Sequence, residues 1–378
     1  MRTKTLSLVL ICTILFGIEI RAQVVPVSAD FLRLPVNVRG AGMGNLSVAN
    51  GGDANSVFGN PALISFNDEN NYNEVSSFSS TFSPIAVDLT KDIKYLTLNG
   101  HTWINQGEYI GMSLQYLSLG DVHFYDSQAN ETNFVRPNEW AIGGTYAKQF
   151  NSSLGMGITF KGIFSSLTGG AELEGIKTRG GFALAADFGL YGRIPDAADN
   201  EISYGFALTN IGSKINYSDS EEKSFLPMAL RFGGGYKLNF NESYVRVGLE
   251  LTKMLIPSQP IYDQDKNIIK GADPNKTVPA AIFSSFNDHP DGISGEIKEF
   301  GLSVGAEAGL NDSFFFRGGF YSEAKQMGLG SFASVGLGFK KEFNNKRLGI
   351  DIAYLIPTGE NFSLKSSFKF GISLSISE

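Results

Sequence analysis

Few residues of this sequence could carry chemistry, and one group of them imitates the surroundings of a catalytic serine. Residues 301–305 read Gly-Leu-Ser-Val-Gly, formally the G-x-S-x-G motif, in which a sharp strand-to-helix turn exposes the serine hydroxyl. Here the motif falls in the middle of a predicted strand and lacks that turn. We therefore expect Ser303 to be a small side chain that faces an enclosed interior, and a hydrolase built on Ser303 has little support.

Metal and phosphate sites have equally weak signals. The three histidines lie far apart in the sequence, without a second ligand type at the spacing that metals need. Residues 263–267 imitate the start of a calcium-binding loop, but Ile268 occupies the position that requires glycine. The glycine triplet at 233–235 precedes no predicted helix, so it does not suit a phosphate. We expect no catalytic residue, no metal and no cofactor, and hence a protein that is not an enzyme.

The first 22 residues have the features of a cleaved signal peptide. Arg2 and Lys4 precede an apolar run over residues 8–18 that is too short to cross a bilayer, and Ala22 supplies a small residue for cleavage. The only cysteine of the sequence, Cys12, lies in this run. The exported chain is therefore expected to use neither disulfides nor thiolate chemistry.

The composition of the remaining chain disfavours nucleic acid and favours a membrane. The formal net charge of −7 includes +2 from the signal peptide, so the exported chain is near −9 and lacks the basic face that nucleic acid requires. Charged residues make up 18% of the sequence, which also has 44 glycines and 30 phenylalanines. No later segment reaches the roughly 18 consecutive apolar residues of a membrane helix. Contact with lipid through β-strands fits this composition.

From residue 75 onward the sequence alternates with period two, which is the pattern of strands with one apolar face. We predict fourteen strands, at 75–82, 92–103, 108–119, 139–150, 153–165, 181–193, 201–210, 227–238, 244–254, 299–310, 313–321, 331–342, 347–355 and 363–376. Long and short connections alternate, as expected when periplasmic turns are short and outer loops are long. The sequence therefore predicts an all-β fold, a 14-stranded antiparallel transmembrane β-barrel in the outer membrane.

Charged residues within these strands share one face. In the strand at 244–254, Arg246 and Glu250 alternate with an apolar row. The same alternation holds for Lys161, Asp187, Arg231, Glu307, Arg317, Lys340, Asp351 and Lys369. Because an Arg or Lys that faces the bilayer midplane costs roughly 2–4 kcal/mol, this face must look into the barrel.

Two segments outside the strands are expected to have special roles. Residues 23–74 are rich in Gly, Asn and Pro and lack sustained alternation, so we predict that they form a plug, with Asn60 and Pro61 in it, inside the barrel formed by 75–378. The longest outer loop, 255–298, is predicted to contain one short helix over 280–286. It carries apolar residues suited to docking a partner protein, which are Tyr262, Ile268, Ile269, Ile282, Phe283 and Phe286.

Particular runs of sequence add a family resemblance to this pattern. They include Arg-Gly-Ala-Gly-Met-Gly and Asn-Pro-Ala early in the chain, and Asn-Ile-Gly-Ser-Lys-Ile and Phe-Phe-Arg-Gly-Gly-Phe later. The runs lie at 31–44, 53–56, 60–62, 116–120, 210–215, 253–257 and 315–320. Together they resemble the PorV family of the type IX secretion system, and the early runs are shared more loosely with FadL-like barrels. The resemblance implies a FadL-like barrel of fourteen strands without a catalytic residue.

The resemblance also implies partners and a function. A PorV-like barrel would accept secreted cargo by its conserved C-terminal domain as the cargo leaves the large outer-membrane translocon. It would then shuttle the cargo to the surface attachment complex, which includes a sortase-like subunit. The alternative is a FadL-like transporter of hydrophobic small molecules, which needs an apolar path through a movable plug. Inward charges such as Glu307 and Lys369 make such a path less favourable.

Overall fold

A closed antiparallel barrel of fourteen strands forms the body of the protein. The computed structural model describes residues 27–66, 74–85, 92–125, 131–170, 172–173, 176–196, 200–218, 223–324, 327–358 and 367–377, and the predicted signal peptide lies outside these ranges. The barrel strands are β1 (Glu74–Pro84), β2 (Lys94–Asn105), β3 (Glu108–Ser118), β4 (Asn138–Asn151), β5 (Leu154–Ser166), β6 (Gly181–Pro195), β7 (Glu201–Gly212), β8 (Ala229–Phe240), β9 (Ser243–Met254), β10 (Phe300–Leu310), β11 (Phe314–Ser322), β12 (Phe332–Phe343), β13 (Lys346–Pro357) and β14 (Ser367–Ser377). Each strand pairs with the next, and β1 pairs with β14, which closes the ring.

The predicted strands and connections agree with this structure. The number of strands is confirmed, and the described boundaries lie within two residues of those predicted. The predicted start of the last strand, at residue 363, lies outside the described residues, which resume at Ser367. Turns of two to five residues alternate with connections of nine or more, as predicted. Residues with left-handed backbone conformation make the short turns tight, for example Gly107 (φ 72°), Asn241 (φ 55°) and Asn344 (φ 54°).

The two faces of the wall differ in the way that a membrane requires. Outward side chains are apolar and exposed, as at Leu249, Phe370 and Ile372. The charged side chains that were predicted to face the interior do so, and Glu250 and Glu307 are almost completely buried. Lys148, near a strand end, instead lies on the outward face and pairs there with Glu108. Lipid cannot form hydrogen bonds with backbone N–H and C=O groups. A closed ring of paired strands satisfies these groups, whereas an open sheet would leave those of its two edge strands unpaired.

Residues 27–66, called here the N-terminal segment, lie inside the barrel. The segment consists of one short α-helix (Val38–Gly42) and three 3₁₀-helices, at Asp30–Arg33, Ser56–Phe58 and Pro61–Ser65. Asn side chains begin two of these helices, because Asn37 accepts a hydrogen bond from the Gly40 amide (3.0 Å) and Asn60 accepts one from the Ala62 amide (3.1 Å). Most of its residues are buried against the inner wall.

Glycines of the wall allow the N-terminal segment to approach the strand backbone. A Cβ atom added at Gly205 on β7 would lie 1.9 Å from the carbonyl oxygen of Val48. One added at Gly305 on β10 would lie 2.2 Å from the carbonyl oxygen of Met43. The glycine-rich inner face is therefore a packing surface for the N-terminal segment.

The outer connections contain further short elements. Small hairpins pair Val122–Tyr125 with Glu131–Val135 and Glu172–Leu173 with Ile176–Lys177. The connection between β9 and β10, residues 255–299, is called here the outer loop. It contains a hairpin of Ile261–Tyr262 and Ile268–Lys270 and two helices, Val278–Ser284 and Ile293–Lys298. The single helix predicted over 280–286 therefore begins two residues earlier, and the second helix was not predicted.

None of the helices in the described residues is long and apolar enough to cross a membrane.

Candidate functional site

The outer loop is fixed to the end of β9 by a buried group of charged residues. Lys253 is completely buried, and its ammonium lies 2.9 Å from a carboxylate oxygen of Glu296 and also contacts Glu299. The second oxygen of Glu296 accepts a hydrogen bond from the Asp288 amide (2.7 Å), and the Ser258 hydroxyl donates to Glu299. We call Lys253, Glu296 and Glu299 the loop clamp. It ties both ends of the outer loop and its second helix to one point of the wall.

The electrostatics of the loop clamp depend on the single lysine. Burial raises the pKa of Glu299 above its usual value, while the positive charge of Lys253 opposes that effect. The ammonium of Lys253 contacts the carboxylates of both Glu296 and Glu299, and both of these side chains are buried. A group of this kind is strongly destabilised when its cation is removed, because buried charges are left without compensation.

The tip of the outer loop exposes apolar side chains to water. Of the six residues predicted for partner contact, Tyr262, Ile268, Ile269, Phe283 and Phe286 are exposed, and Phe283 is the most exposed at 81%. Ile282 instead is half-buried and packs against the core around Ala281, because neighbouring residues on a helix point in different directions. The loop therefore brings five of the predicted residues to its surface and turns the sixth inward.

Two exposed residues of this surface were missed in the sequence. Ile293 and Ile297 lie on the second helix of the outer loop and are 76% and 65% exposed. Their spacing of four residues places them on the same side of the helix, which is the signal that could have identified them. The five exposed predicted residues together with Ile293 and Ile297 are called the loop surface below.

A second buried group of charges holds the N-terminal segment in the barrel. Arg39 donates to both oxygens of Glu307 on β10, at 2.6 Å from Nη2 and 3.0 Å from Nε. Arg317 on β11 donates to Glu307 at 2.6 Å and also pairs with Asp351 on β13. The Tyr244 hydroxyl donates to Glu307 at 2.8 Å. These residues form the inner network, in which one carboxylate of the wall accepts from two guanidinium groups and a phenol.

Backbone groups of the N-terminal segment also bond to the wall. Glu250 on β9 accepts hydrogen bonds from the amides of Ser47 (2.7 Å) and Val48 (3.0 Å) and pairs with Arg231 at 3.0 Å. The predicted plug residue Asn60 donates to the Leu190 carbonyl of β6 at 3.0 Å.

Pro61, the other predicted plug residue, packs against a wall glycine. A Cβ atom added at Gly157 on β5 would lie 2.5 Å from the carbonyl carbon of Pro61. The structure therefore places both predicted plug residues, Asn60 and Pro61, directly against the barrel wall.

A small cavity remains between the N-terminal segment and the wall. Its volume is about 70 Å³, which is room for roughly five water molecules. Lys161, Asp187, Asn210 and Arg231 are among the residues that line it. Apolar residues such as Leu32, Phe58 and Met254 line it as well, so its lining is mixed.

The residues with catalytic or metal-binding patterns show no reactive geometry. Ser303 lies inside β10 and is completely buried, and none of the residues that the structure describes forms a hydrogen bond with its hydroxyl. The segment around it is an ordinary strand without the exposed turn of a nucleophile motif. Across the part of the chain that the structure describes, His, Cys, Asp and Glu side chains do not gather in groups of three that could hold a metal ion.

Solved structures with a similar fold include a toluene transporter and a monoaromatic hydrocarbon channel. The toluene transporter TodX of Pseudomonas putida aligns over 90% of this chain and 97% of its own, with 12% identity and a TM-score of 0.53. CymD, a monoaromatic hydrocarbon channel, aligns over 91% and 97%, with 13% identity and a TM-score of 0.51. A FadL homologue of Pseudomonas aeruginosa aligns over 94% and 100%, with 11% identity and a TM-score of 0.46. At these identities the likeness to TodX and CymD shows the fold, and the predicted FadL-like barrel of fourteen strands is confirmed.

Sequence comparison identifies the family. No curated protein matches the chain significantly. The sequence profile of the family described as type IX secretion system protein PorV matches residues 19–261, which is more than half of the chain. The resemblance noted from the sequence runs is thereby confirmed, and the fold agrees with a component of that system in the outer membrane. The chain belongs to the PorV family of type IX secretion system proteins.

Proposed function

We propose that this barrel accepts secreted cargo by its conserved C-terminal domain as the cargo leaves the translocon, and shuttles it to the surface attachment complex with its sortase-like subunit. In this proposal, residues 1–22 are removed on export and 23–74 act as a plug. The observation that carries the proposal is the loop surface, where apolar side chains are exposed outside the lipid band. Exposed apolar groups of this kind suit the docking of a partner protein.

The loop clamp makes the loop surface suitable for binding. The second loop helix is connected to β9 through the buried pair of Lys253 and Glu296, and the first is joined to the same region by the Ser284 hydroxyl, which donates to Asp288 at 3.1 Å. The exposed side chains of both helices are thus held in place before a partner arrives. Pre-organisation of this kind lowers the entropy cost of association. The short hairpin of Ile261–Tyr262 with Ile268–Lys270 adds an exposed strand edge, which a β-rich cargo domain can extend by backbone hydrogen bonds.

The filled interior favours protein docking over transport through the barrel. TodX and CymD are described as a toluene transporter and a monoaromatic hydrocarbon channel, and a FadL-like transporter of hydrophobic molecules is the alternative function. Here the inner network and Glu250 hold the N-terminal segment in the lumen, and the cavity beside it is small. Uptake of a labelled fatty acid into liposomes that depends on residues 23–74 would support the transporter instead.

The docking proposal is tested by removing apolar groups from the loop surface without disturbing the loop clamp. We expect the triple variant Phe283→Ser, Ile293→Ser, Ile297→Ser to reach the membrane in normal amounts and to lose co-purification with cargo. Deletion of 262–290 would be a less specific test, because it also removes the buried residues Ala281 and Asp288.

The matched control is Leu167→Ser, which changes an exposed apolar residue of a different outer connection. This variant should keep cargo binding. Unchanged cargo recovery with the triple variant, or equal loss with Leu167→Ser, would refute the proposed role of the loop surface.

A further inference from the structure

Two outward-facing lysines lie side by side at the ends of β12 and β13 that are joined by a short turn. Lys341 on β12 is opposite Leu348, and both lysines are exposed. Lys346 on β13 is opposite Phe343, so the lysines occupy diagonal positions on one face of the strand pair. Such positions are roughly 7–8 Å apart, which lets two long side chains approach a single group. Because short turns mark the periplasmic end of a barrel, the two lysines lie at the periplasmic side of the membrane.

These two lysines differ from Lys148, another outward lysine at the same end of the barrel. Lys148 on β4 pairs with the Glu108 carboxylate at 2.7 Å. Among the residues that the structure describes, no carboxylate oxygen lies within 4 Å of the ammonium of Lys341 or Lys346. The carboxylate next in sequence to Lys341, that of Glu342, pairs with Arg347. The described part of the chain therefore places two positive charges together and supplies no negative partner for them.

Aromatic side chains surround the lysine pair on the same outward face. Phe339 and Phe343 flank Lys341 along β12, and the Lys341 ammonium lies 5.7 Å from the centroid of the Phe343 ring. Phe314 on β11 packs against Phe339, with ring centroids 5.1 Å apart. All three rings are exposed. Aromatic belts of this kind mark the level at which hydrocarbon gives way to lipid headgroups, so the two lysines lie at headgroup level.

The pairing of the two lysines points to an anionic lipid. A single lysine in an aromatic belt can extend its ammonium into water, but two lysines placed together repel each other. A phosphate group between them offsets this repulsion and accepts hydrogen bonds from both ammonium groups. The acyl chains of the same lipid would cover the exposed side chains of Leu348 and Ile350. We propose that the phosphate of an anionic phospholipid of the periplasmic leaflet binds between Lys341 and Lys346, with its acyl chains against β12 and β13.

Native mass spectrometry of the detergent-purified barrel measures lipid binding at this site. The protein is titrated with dioleoyl-phosphatidylglycerol, or with dioleoyl-phosphatidylcholine, which has the same acyl chains and no net charge. We expect phosphatidylglycerol to bind about 10–30-fold more weakly to the double variant Lys341→Gln, Lys346→Gln than to the unaltered protein, because two attractive charges are lost. Equal affinities of the unaltered protein and the double variant would overturn the proposal. Equal affinities of the unaltered protein for the two lipids would also overturn it.

The matched control is Lys148→Gln, which removes an outward lysine that already has a carboxylate partner. This variant should bind phosphatidylglycerol as the unaltered protein does, and a loss equal to that of the double variant would refute a specific site. The double variant Lys341→Arg, Lys346→Arg keeps both charges and should retain most of the affinity. Because both lysines are exposed, the Gln double variant should unfold at the same temperature as the unaltered protein when no lipid is added.

Inorganic phosphate distinguishes a bound lipid from a free anion with the same chemistry. A lipid also gains from the burial of its acyl chains, so phosphate at the same concentration should not displace phosphatidylglycerol from the unaltered protein. Displacement at equal concentration would show that the lysine pair takes a free anion, and it would contradict the assignment to a lipid.

Discussion

The N-terminal segment and the outer loop are both irregular, and buried carboxylates tie both of them to the barrel wall. They differ in exposure, because the first is enclosed by the barrel and much of the second faces solvent. In the N-terminal segment, charged groups such as Arg39 and apolar groups such as Val48 are all buried against strands. In the outer loop, residues around the loop clamp and Ala281 of the first helix are buried, whereas Phe283 and Ile293 are exposed. The comparison indicates that the first region stabilises the barrel and that the second remains available to a partner.

The difference arises from what each region packs against. The N-terminal segment meets wall glycines that admit its backbone, so nearly all of it finds contacts inside the barrel. The outer loop leaves the barrel after Met254 and is held by the loop clamp, by core contacts and by backbone bonds such as that of the Leu255 amide to the Met228 carbonyl. Changes in the first region should therefore affect the stability of the whole barrel, whereas changes in the second should remain local.

The largest expected effect is that of Glu307→Gln in the inner network. The substitution leaves Arg39 and Arg317 buried without their shared carboxylate, and we expect the free energy of unfolding to fall by about 3–5 kcal/mol. Urea denaturation of the barrel in detergent measures this change. The control is Glu108→Gln at the end of β3, whose ion pair with Lys148 (2.7 Å) is partly exposed and should matter little. Equal losses in the two variants would contradict a special role for the inner network.

A smaller effect is expected for Gly205→Ala, which tests the glycine packing surface. The added Cβ would overlap the Val48 carbonyl oxygen, so the N-terminal segment must shift, at a cost of about 1–3 kcal/mol. The same urea experiment measures it. Gly144→Ala is the matched control, because a Cβ at this outward glycine meets no atom within 4 Å. If both substitutions are tolerated equally, the wall glycines are not needed for the close approach.

The smallest effect on the barrel is expected for Lys253→Met, which breaks the loop clamp. Glu296 and Glu299 lose their cation, so the outer loop should open locally and become sensitive to protease, while the unfolding midpoint of the strands stays nearly unchanged. Limited proteolysis followed by mass analysis locates the cleavage. Lys266→Met, at an exposed turn of the loop hairpin, is the control and should leave the loop resistant. A barrel that unfolds together with the loop would show that the two regions are coupled.

The strands were predictable from the sequence because lipid on one side and an enclosed interior on the other impose period two on every strand. Inward charges such as Arg317 and Asp351 followed from the same constraint. The partners of these charges could not be predicted, since Arg39 and Glu307 are 268 positions apart in the sequence and local patterns contain no information on such contacts. The alternation of inward and outward side chains holds for barrel strands and does not extend to loops. The hairpin of Ile261–Tyr262 with Ile268–Lys270 in the outer loop was therefore not predicted.

The loop surface was predictable only in part. Phe283 and Phe286 could be identified as apolar residues in a long loop, but the inward direction of Ile282 depends on how its helix packs. Ile293 and Ile297 had a local signal in their spacing of four residues, although Gly292 and Gly295 beside them weaken a helix prediction. Side-chain direction in loops thus depends on tertiary packing more than on residue type.

The pairing of β1 with β14 has a consequence for biogenesis. The ring cannot close until the last strand has been delivered, so the two outermost strands each present an unpaired edge during insertion. The N-terminal segment precedes β1 in the chain and yet contacts β10 through β13, and it must therefore be in place before the final seam forms. Enclosing the N-terminal segment requires contacts between residues that are far apart in the sequence. Such contacts form more slowly than the local pairing of neighbouring strands.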